Sequence, residues 1–233
     1  MIYEEGGYEK EADSIGDFRS DSFMPVHIAG FPYASGKGRL CRRQYHVWFG
    51  CGKIPGYQVL SGASSKKLGN GYRVRNYGLR GRTLLDYGNF PYKEEPEYKK
   101  TLKEKGDVYI IMLVTNDSKV RNWNTEDYKE QLRAFVTSYQ KVNERAKIYL
   151  MQPPRCFPDE KTGIVNYKIK NDLIATEIHK SVAEVGLECG AIVIDLYEFT
   201  EDHGDWFADG VHPNVKGYEK IAGYIYEVLK ETL

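Results

Sequence analysis

The segment FADGVHPN (207–214) places an aspartate three residues before a histidine. Asp209 at this spacing can accept a hydrogen bond from one ring nitrogen of His212 and leave the other nitrogen free to remove a proton. Such a base needs a hydroxyl or thiol to deprotonate, together with donors that stabilise the negative charge that then develops. This segment therefore predicts a general base with its orienting acid. The nucleophile and the donors for the negative charge must come from elsewhere in the chain.

Two further segments supply donors for a developing negative charge. In LVTNDSK (113–119), the side chain of Asn116 can donate an N–H to an oxyanion. In GLRGRT (78–83), Gly81 can donate its backbone N–H, since no side chain blocks a close approach. Both segments follow predicted strands, as the acid–base pair does, and loops at the carboxyl ends of parallel strands meet at one edge of the sheet. We therefore expect these residues to gather there.

The elements that position these residues alternate regularly from residue 72 onward. Short apolar, β-branched runs predict buried strands, and amphipathic segments between them predict helices. The predicted strands are YRVRNYG (72–78), DVYIIMLV (107–114), KIYLMQ (147–152) and AIVIDLY (191–197). Helices are predicted over 125–146, capped by Asn124 or Thr125, over 166–186, and after Pro213, which we expect in the first helical turn. This alternation predicts a mainly parallel sheet covered on both faces by right-handed crossovers.

Residues 22–66 interrupt this pattern. The segment contains no aspartate or glutamate, and no strand or helix period of useful length is evident in it. Its basic residues are Lys37, Arg39, Arg42, Arg43, Lys53 and Lys66. A basic, glycine-rich loop that binds an anionic ligand is one interpretation, and a segment never selected as protein is another. We divide the chain into an atypical segment, 1–66, and an α/β domain, 67–233.

Composition excludes several classes of function. The chain of 233 residues carries 33 basic and 33 acidic side chains, so no global field attracts nucleic acid or an anionic membrane. The chain contains no run of 18 apolar residues, so no membrane span is predicted. The start, MIYEEGGYEKEADS, is acidic and is not predicted to be a secretory signal, so we expect a cytoplasmic protein. No metal-ligand spacing relates the cysteines, which we expect to be free thiols: Cys41, Cys51, Cys156 and Cys189.

Taken together and in this order, the motifs resemble those of the SGNH, or GDSL-type, hydrolase superfamily. The family pattern Asn-x-Gly-x-x-Gly-x-Thr is similar to NYGLRGRT (76–83), the Gly-x-Asn-Asp block to VTNDSK, and the Asp-x-x-His-Pro block to DGVHPN. The resemblance covers roughly residues 68–233 and implies a three-layer α/β/α, flavodoxin-like fold. By position it makes Gly81 and Asn116 oxyanion donors, His212 the general base and Asp209 its orienting acid. Val114 stands where the family usually has glycine.

The family's nucleophile, a serine in a Gly-Asp-Ser block after the first strand, has no counterpart in this reading. Ser35 in IAGFPYASGKG is the best in-frame candidate. A shifted reading frame explains more, because RRQYHVW (42–48) can be encoded so that the neighbouring frame reads Gly-Asp-Ser-Ile-Thr-Tyr-Gly. The serine would then fall at the place of Gln44. We hypothesise that 22–66 is read out of frame; a reshaped first block and a decayed paralogue are the alternatives. As printed, the chain would lack its nucleophile, its activity and the central strand of the sheet.

The resemblance implies a serine-dependent ester hydrolase that forms an acyl-enzyme and needs no metal or organic cofactor. The polar loops NDSKVRNWN and QPPRCFPDEKTG, without a long apolar groove, favour a short acyl group, such as acetyl, on a polar carrier such as a carbohydrate. A lysophospholipase or thioesterase is the alternative within the same chemistry. A non-catalytic flavodoxin-like or carbohydrate-binding module, using some of the 19 tyrosines, is the alternative outside it.

Sequencing the gene across codons 20 to 70 tests the frame hypothesis. We expect the codons for residues 42–48 to spell Gly-Asp-Ser-Ile-Thr-Tyr-Gly in the neighbouring frame, with normal reading restored near Lys66 and Lys67. Codons that cannot encode that motif in either shifted frame would end the hypothesis.

Overall fold

The computed structural model describes residues 33–34, 40–41, 44–49 and 73–232 of the chain. Its strands are β1 (Tyr33–Ala34), β2 (Leu40–Cys41), β3 (Gln44–Phe49), β4 (Arg73–Asn76), β5 (Val108–Met112), β6 (Lys147–Met151) and β7 (Ile192–Ile194). β1 and β2 form an antiparallel pair, and the other five strands form one parallel sheet in the order β4-β3-β5-β6-β7. Counted along the chain from β3, this order is 2-1-3-4-5, that of flavodoxin-like folds, and the predicted fold class is confirmed.

Helices connect these strands. They are α1 (Pro96–Glu104), α2 (Thr125–Val142), α3 (Asn171–Leu173), α4 (His179–Glu188), α5 (Leu196–Phe199) and α6 (Val215–Thr232), with a π-helical segment at Ile174–Ile178. Short 3₁₀ turns occur at Tyr92–Glu94, Asp117–Lys119, Asn166–Lys168 and Gly204–Trp206. Every residue of β5 is buried, so the sheet is covered on both faces there, as a continuous apolar strand requires. No helix in the described ranges is long and apolar enough to cross a membrane.

The prediction that 22–66 contains no strand, and that the sheet lacks its central strand, is wrong for Gln44–Phe49. This strand lies between β4 and β5, with His46 opposite both Arg75 and Tyr109. Its sequence, QYHVWF, is rich in aromatic and β-branched residues, which favour a half-buried, pleated backbone. The run is short and follows two arginines, so the composition of the surrounding segment concealed it.

Helix boundaries follow the capping residues rather than the full extent of the amphipathic patterns. As predicted, Asn124 caps α2, and its Oδ1 accepts hydrogen bonds from the N–H groups of Glu126 and Asp127 at 2.9 and 3.1 Å. The helix predicted to start at 166 starts at 171 instead, because Tyr167 and Lys168 have positive φ angles of 61° and 58°. Such left-handed residues cannot lie inside a right-handed helix.

The prediction that Pro213 lies in the first turn of the last helix is wrong. The helix begins at Val215, and Asn214 Oδ1 accepts a hydrogen bond from Gly217 N at 3.0 Å in the manner of a cap. Pro213 instead forms an isolated bridge with Phe207, which closes the turn that carries the predicted acid and base.

Tyrosines build much of the core, and the buried ones are not available to a sugar-binding surface. The fully buried ones are Tyr92, Tyr109, Tyr128, Tyr139 and Tyr149. Each of their hydroxyls has a hydrogen-bond partner, as buried tyrosine requires. The Tyr128 hydroxyl donates to the carbonyl of Leu113 at 2.9 Å and so ties α2 to the first residue after β5.

A buried carboxylate joins the loops that follow β4 and β5. Asp117 is fully buried, and its carboxylate accepts hydrogen bonds from the backbone N–H of Leu84, at 2.9 and 3.1 Å, and of Leu85, at 2.9 Å. Burial raises the pKa of Asp117 to about 7, although these N–H donors act in the opposite direction. Leu84 and Leu85 follow Gly81 in the loop after β4, and Asp117 follows Asn116 directly in the loop after β5. The hydrogen bonds of this carboxylate therefore fix the two predicted oxyanion donors relative to each other.

The raised pKa of Asp117 predicts a pH-dependent stability. The folded chain binds this proton more tightly than the unfolded chain, whose aspartate titrates near 3.8, so the contribution is fully present below about pH 4 and is lost as the pH rises through about 7. Asp117→Asn removes the titration, so the wild type should lose stability relative to this variant between pH 4 and pH 8. Asp117→Ala leaves two buried N–H groups unpaired and should cost about 3 kcal/mol.

Urea unfolding of the wild type and both variants at several pH values measures these effects. Asp202→Asn, at an exposed aspartate, provides the matched control and should follow the wild type at every pH. A difference between wild type and Asp117→Asn that stays constant from pH 4 to pH 8 would contradict the assignment.

Candidate active site

The predicted acid and base are in direct contact. His212 Nδ1 lies 2.5 Å from Asp209 Oδ2. The other carboxylate oxygen, Oδ1, accepts hydrogen bonds from the backbone N–H of His212 at 2.7 Å and of Val211 at 3.0 Å. The turn therefore fixes both oxygens of the carboxylate, and since Nδ1 faces the acid, Nε2 is the nitrogen left for proton transfer.

The charge of Asp209 is held by its hydrogen bonds. Burial alone would raise the pKa of this half-buried carboxyl, but the hydrogen bonds from His212 and Tyr167 outweigh burial and place the pKa well below its usual range. Asp209 therefore stays ionised at neutral pH. An ionised partner orients the imidazole and stabilises the imidazolium that forms when His212 takes a proton.

A glycine allows the acid–base turn to pack against the loop that follows β6. Gly210 has φ +76°, and a Cβ at this position would lie 2.1 Å from the carbonyl oxygen of Phe157. This close approach lets Phe157 N donate a hydrogen bond to Gly210 O at 2.7 Å. Any side chain at 210 would separate the two loops, so the Asp-Gly pair within the motif has a structural as well as a chemical reason.

The predicted oxyanion donors line one small hollow. Gly81 and Asn116 border a cavity of about 150 Å³, together with Thr83, Asn89, Phe90, Lys119 and Val120. Lys119 Nζ lies 2.9 Å from Asn116 Oδ1. Because an ammonium group can only donate hydrogen bonds, this contact identifies the amide oxygen and assigns Nδ2 to the other side of the amide. Lys119 also brings a positive charge to the hollow.

One buried thiol links the two halves of the site. Burial raises the pKa of Cys156 to about 12, the negative charge of Asp209 raises it further, and the positive charge of Lys119 opposes the shift. Both charged groups therefore lie close enough to act on the same sulfur. The raised pKa keeps Cys156 protonated, which excludes it as the nucleophile. The structure thus brings Gly81 and Asn116 together at one hollow and brings Asp209 and His212 together in one turn.

The two nucleophile candidates differ in what the structure says of them. Ser35 lies outside the described residues. Gln44 is the first residue of β3. The last residue of this strand, Phe49, is paired with Met112, beside the loop of Asn116. Five steps of about 3.3 Å separate the two ends of this strand by about 16 Å. In this register Gln44 lies at the opposite edge of the sheet, so the position of the nucleophile stays a prediction that depends on the reading frame.

Sequence reasoning missed two contributors to the site, Tyr167 and Lys119. The signal for Lys119 was available, because it stands three residues after Asn116 and a short turn brings residues at this spacing together. No short-range signal existed for Tyr167, which reaches Asp209 across 42 residues of sequence. Within the described residues, no group of three or more His, Cys, Asp or Glu side chains is arranged to hold a metal ion.

Val114, which departs from the family pattern, is buried, and its carbonyl accepts a hydrogen bond from Asp117 N at 3.0 Å. This bond forms the turn that presents Asn116. The valine is therefore compatible with the turn that the family builds with glycine.

Known proteins share both the sequence and the fold of this domain. An acetylxylan esterase from Xylanibacter ruminicola is 34% identical over 182 residues, which cover 70% of this chain and 37% of that esterase. The chain therefore spans little more than a third of that relative's length. The native aryl esterase of M. smegmatis has a TM-score of 0.62 at 17% identity, covering 81% of this chain and 100% of that one. Est24, a carbohydrate acetylesterase from Sinorhizobium meliloti, has a TM-score of 0.59 at 17% identity, with the same coverage.

Residues 47–225 match the family described as GDSL-like lipase/acylhydrolase. The match covers well over half of the chain and includes the strand Gln44–Phe49 from Val47 onward, the hollow with its two donors, and the acid–base turn. The resemblance drawn from the motifs is confirmed: the chain belongs to the GDSL-like lipase/acylhydrolase family.

Proposed function

We propose that this domain hydrolyses short acyl esters, with acetyl esters of a carbohydrate as the preferred class, through an acyl-enzyme. The observation that carries the proposal is the ionised Asp209 bound to His212 Nδ1, in a turn that residues 166–170 connect to the loop of Asn116, which lines the hollow with Gly81. A base of this kind needs an oxyanion site within reach, and acyl transfer is the chemistry that uses both. The similar acetylxylan esterase and the structural similarity to a carbohydrate acetylesterase support the choice of acyl group and carrier.

The mechanism assigns one role to each group. His212 removes the proton of the nucleophile as it attacks the ester carbonyl, while Asp209 holds the imidazole and offsets its developing charge; His212 then gives that proton to the departing alcohol as the ester C–O bond breaks. The Gly81 N–H and the Asn116 Nδ2 donate to the oxygen on which negative charge develops. Lys119, which donates to the amide oxygen of Asn116, turns Nδ2 toward the other side and adds positive potential. In the second half, His212 activates water to release the acid.

The size and lining of the hollow favour a short acyl group. A cavity of about 150 Å³ holds on the order of five water molecules at about 30 Å³ each. An acetyl group fits in such a space, whereas a long acyl chain has to extend outside it. Thr83, Asn89 and Lys119 add polar groups to a lining that also includes Phe90 and Val120, so the hollow offers hydrogen-bond partners to a carbonyl and apolar contacts to a small acyl group.

A chain-length series of 4-nitrophenyl esters tests the proposal, run on the protein expressed from the gene in the frame that sequencing establishes. We expect the highest kcat/KM on the acetate and a steady fall through the butyrate to the octanoate. His212→Ala and Asn116→Ala should each lower kcat by about a hundredfold or more, because each removes a group that acts mainly in the transition state.

His203→Gln provides the matched histidine control, since His203 stacks on Trp206 at a centroid distance of 3.7 Å, and it should keep the wild-type rate. Near-full rates in both His212→Ala and Asn116→Ala would contradict the proposal. A preference for the octanoate would instead support a lysophospholipase or thioesterase, and acetate release from xylan by the wild type would extend the result to a carbohydrate.

A further inference from the structure

Tyr167 adds a second hydrogen bond to the carboxylate that orients the base. Its hydroxyl donates to Asp209 Oδ2 at 2.7 Å, and this is the same oxygen that lies 2.5 Å from His212 Nδ1. The ring of Tyr167 also contacts the imidazole edge-on, with centroids 4.9 Å apart and an interplanar angle of 65°. We infer that Tyr167 is a positioning residue, which sets how strongly Asp209 polarises His212 and fixes the plane of its ring. This inference rests on the proposed function.

The backbone around Tyr167 is shaped for this contact. Tyr167 and Lys168 both have left-handed φ angles, 61° and 58°, an uncommon conformation for residues other than glycine. Residues held in such conformations concentrate at functional sites, where surrounding contacts fix them. Here the preceding residue supplies one of those contacts: Asn166 Nδ2 donates to the backbone carbonyl of Asp209 at 2.8 Å. Two consecutive side chains therefore bind the same aspartate.

At its other end, the same segment contacts the loop after β5, which carries Asn116. Lys170 N donates to Ser118 Oγ at 3.3 Å, and Lys170 Nζ donates to the carbonyl of Val120 at 3.1 Å. Residues 166–170 thus connect the acid–base turn with the loop that carries Asn116 and Lys119. A segment with this placement fixes the distance between the base and the oxyanion donors. A segment that contributed only to stability would not need to contact both loops.

The electrostatic consequence follows from two donors sharing one oxygen. The groups that face Asp209 are His212 from its own turn and Tyr167 from the 166–170 segment; the charges of Asp209 and Lys119 also act, in opposite directions, on the pKa of the buried Cys156 thiol in the loop after β6. The Tyr167 hydroxyl takes part of the charge of Oδ2 that the imidazole would otherwise use. Without it, more of the charge of Oδ2 is available to the imidazole, and the hydrogen bond between Asp209 and His212 strengthens.

Tyr167→Phe removes the hydroxyl and keeps the ring, and Tyr167→Leu removes both. In the ester assay we expect Tyr167→Phe to alter the acid limb of the kcat/KM pH profile and to lower kcat several-fold with little change in KM, because Asp209 Oδ2 loses one of the hydrogen bonds that hold it in place. Tyr167→Leu should add a larger loss of kcat, because the imidazole plane is no longer fixed. Tyr87→Phe is the matched control: the Tyr87 hydroxyl also donates to an aspartate, Asp127, at 3.1 Å, and this variant should leave the profile unchanged.

Proton NMR gives a readout that does not need turnover. In the wild type, the His212 Nδ1 proton should resonate far downfield because of its hydrogen bond to Asp209, and in Tyr167→Phe it should move further downfield as that bond strengthens. An unshifted resonance together with a pH profile that superimposes on the wild type would overturn the inference. If the resonance shifts in Tyr167→Phe although the wild type has no esterase activity, the contact is established and the failure lies in the proposed function.

Discussion

The hydrogen bond between Asp209 Oδ2 and His212 Nδ1 is the interaction on which the proposed chemistry depends. It has to hold one tautomer of the imidazole, and it has to keep its acid ionised while that acid is half buried. Burial works against ionisation, and the surrounding donors work for it. The side-chain and backbone hydrogen bonds from His212, together with the Tyr167 hydroxyl, outweigh burial, so the acid is ionised at neutral pH.

The parallel sheet explains how distant residues reach this pair. In the order β4-β3-β5-β6-β7, β4 lies on one side of β3, and β5, β6 and β7 lie on the other. The carboxyl ends of β3 and β5 therefore flank the crevice where such folds bind ligands. The loop after β5 carries Asn116 and Lys119, the loop after β4 carries Gly81, and the acid–base turn packs on the loop after β6 through Gly210 and Phe157. The buried carboxylate of Asp117 then ties the first two loops together. The geometry of the candidate site therefore depends on loop-to-loop contacts at one edge of the sheet.

The sequence predicted what local spacing and residue type control. The strands from β5 onward, the cap at Asn124 and the contact between Asp209 and His212 follow from short-range patterns, and the structure has them. The strand Gln44–Phe49 was missed, because six residues within a basic segment show too little alternation, and only pairing with β4 and β5 makes them a strand.

The late start of α3 and the role of Tyr167 were missed for another reason. A left-handed backbone at Tyr167 and Lys168 goes against local preference, and the contacts of this segment are distant: Tyr167 donates to Asp209, 42 residues away, and Lys170 donates to Ser118, 52 residues away. Tertiary contacts of this length leave no trace in local periodicity. The same limit applies to Asp117, whose motif was visible while its bonds to Leu84 and Leu85 were not.

A double-mutant cycle on Asp209 and His212 tests the central claim most directly. If the carboxylate acts only through the imidazole, Asp209→Asn should lower kcat/KM strongly on its own, yet add almost nothing once His212→Ala is present. The account predicts that the double variant hydrolyses 4-nitrophenyl acetate at the rate of His212→Ala alone. Losses that multiply, with the double variant lower by the product of the two single effects, would show that Asp209 acts independently of His212 and would contradict the account.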